Sequence, residues 1–203
     1  MVKVGAIILA AGMSTRMGSQ KLFANLCGKP LFRYAVETVV QSKLSPIVLI
    51  GGENVGKLKR LTKDLPMVQV IANRNYSSGM ASSLKRGIAE VAGKVDGAVI
   101  VLADQPLVQV EVIEQLIAHY KGARSRGIQI VRPSYNGKAG HPVLFDSQLF
   151  AEFDQIDGDE GGRSIVARKH KKLITVNFEN GYWGEDVDTP KDLAKLQNYA
   201  NEN

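Results

Sequence analysis

The chain has 203 residues, 44% of them hydrophobic, which is enough to bury one substantial core and predicts a single domain over 1–203. A net charge of +6 and a pI near 9.4 suit phosphorylated ligands; Lys and Arg are spread along the chain and only 6% of residues are aromatic, which argues against a nucleic-acid partner. The single cysteine, Cys27, excludes an internal disulfide and zinc-finger spacing, no window approaches the roughly 20 apolar residues of a membrane span, and the first apolar run is too short for a signal peptide, so a cytoplasmic setting without a membrane partner is expected.

In chain order, Val4 to Ala10 is a short, continuous, β-branched run bounded by Gly12, and it predicts a strand buried on both faces. It feeds the loop Ala11-Gly12-Met13-Ser14-Thr15-Arg16-Met17-Gly18-Ser19-Gln20-Lys21. Small residues there let backbone N–H groups converge, Ser14 and Thr15 add hydroxyls, and Arg16 and Lys21 add positive charge, as a polyphosphate site requires. A bare glycine pair would read as a turn; two cations in the same loop shift the balance towards an anion. Neither a Walker A loop nor G-x-G-x-x-G fits, because five residues separate Gly12 from Gly18 and Lys21 comes three later.

Pro30 can open a helix whose buried face is Leu31, Tyr34, Ala35, Thr38 and Val39. A strand at 46–50 closed by Gly51-Gly52, a lysine-rich helix at 55–63, a strand at 68–71, a helix at 80–91 and a strand at 98–102 follow. This alternation predicts a largely parallel sheet covered by helices on both faces, with ligands at the carboxyl ends of the strands.

Four further loops stand out on that rule. Asn75 to Leu84 is rich in small hydroxylated residues and reads alone as a helix N-cap with spare serines. Asp104, in Ala103-Asp104-Gln105-Pro106, follows the most apolar strand and is either a simple cap or a ligand for a hard cation. Gly140-His141-Pro142-Val143 reads as a turn entering a strand, and Asp157-Gly158-Asp159-Glu160-Gly161-Gly162-Arg163 as an acidic, glycine-rich helix start whose spacing fails the EF-hand pattern. In Asp186-Val187-Asp188-Thr189-Pro190-Lys191-Asp192, Thr-Pro predicts a helix start with Asp192 near its positive end, but capping does not explain the acids upstream. His119 and His170 are expected on the surface, Trp183 beneath the final loop, and Cys27 as a packed or idle thiol.

Leu9-Ala10-Ala11-Gly12-x-Ser14-x-Arg16-Met17-Gly18-x-x-Lys21 resembles the signature of the MobA-like nucleotidyltransferases, most closely the molybdenum cofactor cytidylyltransferase group and its purine-catabolism accessory relatives. The resemblance continues through Gly79-Met80-x-x-Ser83-Leu84, Ala103-Asp104-Gln105-Pro106, Gly140-x-Pro142-Val143, Gly158-Asp159-x-Gly161-x-Arg163 and Asp186-x-Asp188-Thr189-Pro190, nearly the whole chain. It implies an α/β, three-layer, Rossmann-like nucleotide-diphospho-sugar transferase fold, related to glycosyltransferase-A enzymes, with a mostly parallel sheet. It also implies transfer of an NMP, CMP from CTP, to a phosphorylated acceptor of molybdopterin type, with release of pyrophosphate and a molybdoenzyme as transient partner.

On this resemblance Leu9, Ala10, Ala11, Gly12, Ser14, Arg16, Lys21, Gly79, Met80, Ser82, Ser83 and Asp104 bind the nucleotide. Arg16 holds the leaving pyrophosphate and Lys21 the α-phosphate, both as catalytic residues with Asp104. Mg²⁺ sits between Asp104 and Asp188, which are expected to converge, and Gly140, His141, Asp159, Gly161 and Arg163 face the acceptor. Group members that use GTP carry Ala-Gly-Gly at the position of Ala10-Ala11-Gly12, so the Ala11 methyl is expected to disfavour a purine. A sugar-phosphate or methylerythritol-phosphate nucleotidyltransferase, and a non-catalytic accessory protein that binds cofactor, are the competing readings.

Overall fold

The computed structural model describes residues 1–12 and 21–202, the last two by their backbone alone. The elements are β1 (Val4–Ala10), β2 (Asn25–Leu26), β3 (Lys29–Pro30), α1 (Leu31–Gln41), β4 (Ile47–Gly51), α2 (Val55–Leu61), β5 (Val68–Ala72), α3 (Met80–Val91), β6 (Gly97–Leu102), α4 (Val110–Ala123), β7 (Ile130–Tyr135), β8 (Lys138–Ala139), β9 (Val143–Asp146), α5 (Arg163–Arg168), β10 (Leu173–Phe178) and α6 (Pro190–Glu202).

Seven strands line up as β10-β7-β9-β6-β1-β4-β5, with β8 added to β7. All neighbours in that path are parallel except β9, which runs against both β6 and β7. The largely parallel sheet expected from the sequence is therefore present, with one reversed strand that the alternation of elements did not announce. Reversal has a consequence for the site: β9 starts at the edge where the parallel strands end, so its first residues join their last ones.

Side-chain alternation along β1 explains why the sheet is covered twice. Val4, Ala6, Ile8 and Ala10 pack into one cluster with Phe32, Ala35, Val36 and Val39 of α1, Leu58 of α2 and Ile113, Leu116 and Tyr120 of α4. Ile7 faces the other way, into a cluster with Ala81, Leu84, Ile88 and Val91 of α3, Ile165 of α5 and Phe150 and Phe153 of the 3₁₀ segment at 147–155. The result is three layers, helix on sheet on helix.

The α1 stripe is rotated from the expected one. Phe32 and Val36 are fully buried beside Leu31, Ala35 and Val39, whereas Tyr34 and Thr38 lie at its border. A two-sided contact, with β1 and β4 on one side and α4 on the other, widens the buried face beyond a single i, i+3, i+4 line. The lysine-rich helix stops at Leu61 instead of Lys63, and Cys27 is exposed, so it is not a packed thiol. Trp183 does pack near the final loop, its ring 6.0 Å from that of Phe178.

Candidate functional site

Strand ends gather the site. Past the end of β1, Ala10, Ala11 and Gly12 line a cavity of about 240 Å³ together with Leu9, Lys21, Tyr76, Gly79, Met80, Ser83, Asp104 and Asp188. Ser14 and Arg16, with their expected hydroxyl and charge, lie outside the described residues.

Asp104 sits in the turn after β6, and its backbone carbonyl accepts from the N–H of Val187 at 3.0 Å. Val187 is fully buried, so this bond and its anchor fix the final loop against the strand end and bring Asp188 beside Asp104. The next residues hold Asp188 from below. Asp192 accepts from the N–H and hydroxyl of Thr189 (both 2.8 Å) and from the Asp188 N–H (3.1 Å), while the Thr189 hydroxyl accepts from the Asp192 N–H (3.2 Å). This is the reciprocal capping box of a helix start, and it explains Thr-Pro-x-Asp in full while leaving Asp188 facing the site.

Between the two acids lies Lys21. Its ammonium donates to Asp104 Oδ2 and to Asp188 Oδ1, each at 2.7 Å, with the lysine only 7% exposed. Burial alone would push its pKa down; the charge and hydrogen bond of Asp104, followed by those of Asp188, outweigh that and hold it above the ordinary lysine value. The expected convergence of the carboxylates is thus present, and a positive charge from the chain itself joins them.

The serine loop is built differently from a serine N-cap. Gly79 takes the cap position of α3 at φ +103°, where no side chain caps it. Instead the loop at 157–162 closes on it: Met80 N–H donates to Asp159 Oδ1 (3.0 Å) and Ala81 N–H to the Gly158 carbonyl (2.9 Å). A Cβ at residue 79 would stand 2.4 Å from the Gly158 carbonyl, so both the left-handed backbone and the close approach demand glycine. Asp159, expected at the acceptor, thereby spends one oxygen on the positive end of α3.

Asn73 organises the serines. It is 6% exposed, and its amide donates to the hydroxyls of Ser82 (2.8 Å) and Ser83 (3.0 Å). The Ser82 hydroxyl also faces the carbonyls of Asn75 and Gly79, so it is committed to the loop, whereas Ser83 lines the cavity.

A second cavity of about 540 Å³ shares Leu9, Met80, Leu102 and Asp159 with the first and opens towards β9, β7 and α5. Gly140, His141, Asp159, Gly161 and Arg163 all line it, so the residues expected at the acceptor are brought together. Its apolar floor includes Ile100, Val143, Phe145 and Leu173. His141 is pushed down to a pKa of about 4, by burial first and, against the pull of Asp104, by Arg163; its imidazole is neutral at pH 7 and offers a hydrogen bond, not a charge.

Arg132, Gln105, Asp186 and His170 also line this cavity and were not singled out as site residues from the sequence. His170 is exposed as expected but faces the cavity. Asp186 keeps contact with solvent, yet burial of its carboxyl and then the charge of Asp104 push its pKa up to about 6. The acid pattern Asp-x-Asp was the available signal for Asp186; for Arg132 there was none beyond a charge in an apolar strand. Among the described residues no group of three or more His, Cys, Asp or Glu could hold a metal by itself, and no helix is long and apolar enough to cross a membrane.

Two adjoining cavities at the strand ends, the smaller one holding a lysine paired with two acids, are carried on the nucleotide-diphospho-sugar transferase fold, and the chain is a nucleotidyltransferase. The chain belongs to the family of the MobA-like NTP transferase domain, whose model matches residues 6–173. It is similar to nicotine blue oxidoreductase of Paenarthrobacter nicotinovorans (27% identical over 202 residues, 95% of this chain and 96% of that one). It is also similar to the purine catabolism protein PucB of Bacillus subtilis (29% identical over 201 residues, 94% of each). Among solved structures, the Rv0371C complex with manganese from Mycobacterium tuberculosis superposes with a TM-score of 0.76 at 21% identity, covering 97% of this chain and 99% of that one.

Proposed function

We propose that the protein transfers CMP from CTP to a phosphorylated acceptor of molybdopterin type and releases pyrophosphate. The observation that carries this reading is the Lys21 ammonium held at 2.7 Å from both Asp104 and Asp188, all three lining the smaller cavity. Two carboxylates within reach of one cation suit Mg²⁺, which is usually bound by one or two carboxylates, water and substrate phosphates. Asp104 and Asp188 would hold it, and when bound it would neutralise phosphate charge and align the oxygens. Support for a divalent metal comes also from the manganese in the related structure.

An oxygen of the acceptor phosphate attacks the α-phosphorus of CTP as the bond to the β-phosphate oxygen breaks, and pyrophosphate leaves with the electron pair. The acceptor oxygen is already ionised, so no strong base is needed and catalysis is positioning and charge neutralisation. Lys21 turns from the acids to the α-phosphate, Arg16 takes the pyrophosphate, and the amides around Gly12 cradle the chain of phosphates. Ala11 is buried and lines the smaller cavity, and its methyl would narrow the room for a purine there, which supports the reading of CTP over GTP.

The test is pyrophosphate release across a panel of NTPs and phosphorylated acceptors with Mg²⁺ and Mn²⁺, in parallel with calorimetric titration of CTP and GTP. Release with CTP and a molybdopterin-type acceptor is expected. Release only with sugar phosphates or methylerythritol phosphate would move the substrate, and tight binding without release would make the protein an accessory binder. Equal or tighter binding of GTP would remove the role given to Ala11. Since one relative bears the name of an oxidoreductase, the same acceptors should also be followed for a change of redox state, which this reading expects to be absent.

A further inference from the structure

Arg132 lies midway along β7 on the face that packs against α3 and α5, two residues after Ile130, which belongs to that apolar cluster. Its side chain reaches the larger cavity, and its buried Nε–H has no hydrogen-bond partner among the described residues. The acids that line the same cavity do not pair with it: Asp159 caps α3, and no ion pair joins Arg132 to Glu160 or Asp186 among the described residues. A second orphan belongs to another residue that lines the same cavity. Gln105 is 3% exposed, its Nε2 donates to the Gly184 carbonyl (3.1 Å), and its buried Oε1 accepts nothing.

A buried donor of a guanidinium and a buried amide oxygen, both unsatisfied at one cavity, are expensive to keep unless a ligand satisfies them. The backbone of Arg132 stands back from the strand end where the phosphate would react. By the registers Val131↔Leu144 and Val99↔Leu144, Arg132 stands level with Ile100, two strands from β6. That is about 10 Å across the sheet at ordinary strand spacing, and below the strand end that carries Asp104.

We propose that Arg132 receives a second anionic group of the acceptor, separate from the phosphate that is joined to the nucleotide, and that Gln105 Oε1 accepts from an O–H or N–H of the same molecule. The acceptor body lies between them over Ile100, Val143, Phe145 and Leu173, so the substrate class is an anionic, hydrogen-bond-donating molecule with an apolar or flat middle. This rests on the nucleotidyl-transfer reading for the word acceptor, but the anion site is testable without it.

The experiment uses the full chain with CTP and Mg²⁺ present, and inorganic phosphate as probe, read on the arginine Nε–H resonances by NMR. The signal that disappears in Arg132→Gln should shift on addition of millimolar phosphate and should do so equally when CTP fills the nucleotide site. In the transfer assay, Arg132→Gln should raise the acceptor KM roughly tenfold or more, as loss of a charge-assisted hydrogen bond does, with the KM for CTP and kcat nearly unchanged and Arg132→Lys in between. Its Tm should equal or exceed that of the parent, because an orphaned donor has been removed. A phosphate-responsive Arg132 in a protein that transfers nothing would defeat the transfer reading alone. Transfer that proceeds with an unaltered acceptor KM in Arg132→Gln, or an Arg132 signal that ignores phosphate or responds only in the absence of CTP, would overturn the second-anion site.

Discussion

The two cavities solve the same electrostatic problem in opposite ways. Around the smaller cavity the charges of the described residues are answered from within: Lys21 lies between Asp104 and Asp188, and the capping box of Thr189 and Asp192 holds Asp188 in place. Around the larger cavity Arg132 Nε and Gln105 Oε1 are left unanswered among the described residues, and His141 is kept neutral. A site closed on itself must be opened by a stronger competitor, such as a metal with a triphosphate. A site left open is finished by its ligand. On the proposed reading, the smaller cavity is common equipment and the larger one carries the selectivity.

The largest effect expected on this contrast is at the acids. Asp104→Asn and Asp188→Asn should each lower kcat by about 10³-fold or more, since each removes both a cation ligand and the partner of Lys21, while circular dichroism and Tm stay close to the parent. An Asp188→Asn enzyme with ordinary metal dependence would break the pairing.

Next is Lys21→Ala, for which a loss of roughly 10²-fold in kcat is expected, with nucleotide affinity falling less. This variant also leaves two neighbouring carboxylates without their internal cation. It should therefore bind Mn²⁺ more tightly than the parent in the absence of nucleotide, by calorimetry; equal affinity would mean that Lys21 does not stand where the metal goes. If only KM rises, the lysine is an anchor and takes no part in the transition state.

A smaller effect separates holding from reacting. Asp192→Ala removes the capping box and should cost about 1 kcal/mol of stability in urea unfolding, together with a partial loss of turnover through a less ordered Asp188. Full activity in a destabilised protein would show that Asp188 does not need that support.

The smallest concerns a charge far from either cavity. Arg33 holds Asp64, through a hydrogen bond first and then its charge, at a pKa of about 2 against an ordinary value of 3.8. Because the folded value is depressed, the contribution is present above about pH 4 and is lost as pH falls towards 2. Asp64 is exposed, so the effect is slight: the urea midpoints of the parent and Asp64→Asn should differ a little at pH 5 and converge as the acid limb is reached.

How much of this could be read from the chain follows from the range of the forces involved. β1, α3 and β6 were legible because continuous apolar runs and their stops are local properties, and the strand-end rule then pointed to the right loops. The helix start at Thr189-Pro190 was legible for the same reason, although the reciprocal bonds between Thr189 and Asp192 were not. What the sequence did not offer is anything that depends on three distant residues at once: the lysine bridge joins positions 83 and 167 residues apart. Nor did it foretell the capture of α3 by Asp159, since an acid in a glycine-rich loop has no local sign of the helix it will meet. Arg132 was invisible because a single charge within an apolar strand pattern reveals neither its face nor the lack of a partner.

The clasp between Gly79 and the loop at 158 bears on inheritance. Apart from Leu9, Met80, Leu84, Ile100, Leu102 and Gln105, the residues that line the larger cavity lie late in the chain, so on the proposed reading a lineage could exchange that stretch as a block and acquire a new acceptor while keeping its nucleotide. Besides the pairing of β9 with β6 and the packing on α3, the exchange is constrained at one tight spot: the incoming segment must again bring a small residue and an acid to the start of α3, because a Cβ at Gly79 would stand 2.4 Å from the Gly158 carbonyl. Grafts between relatives should succeed or fail at that seam before any question of substrate arises.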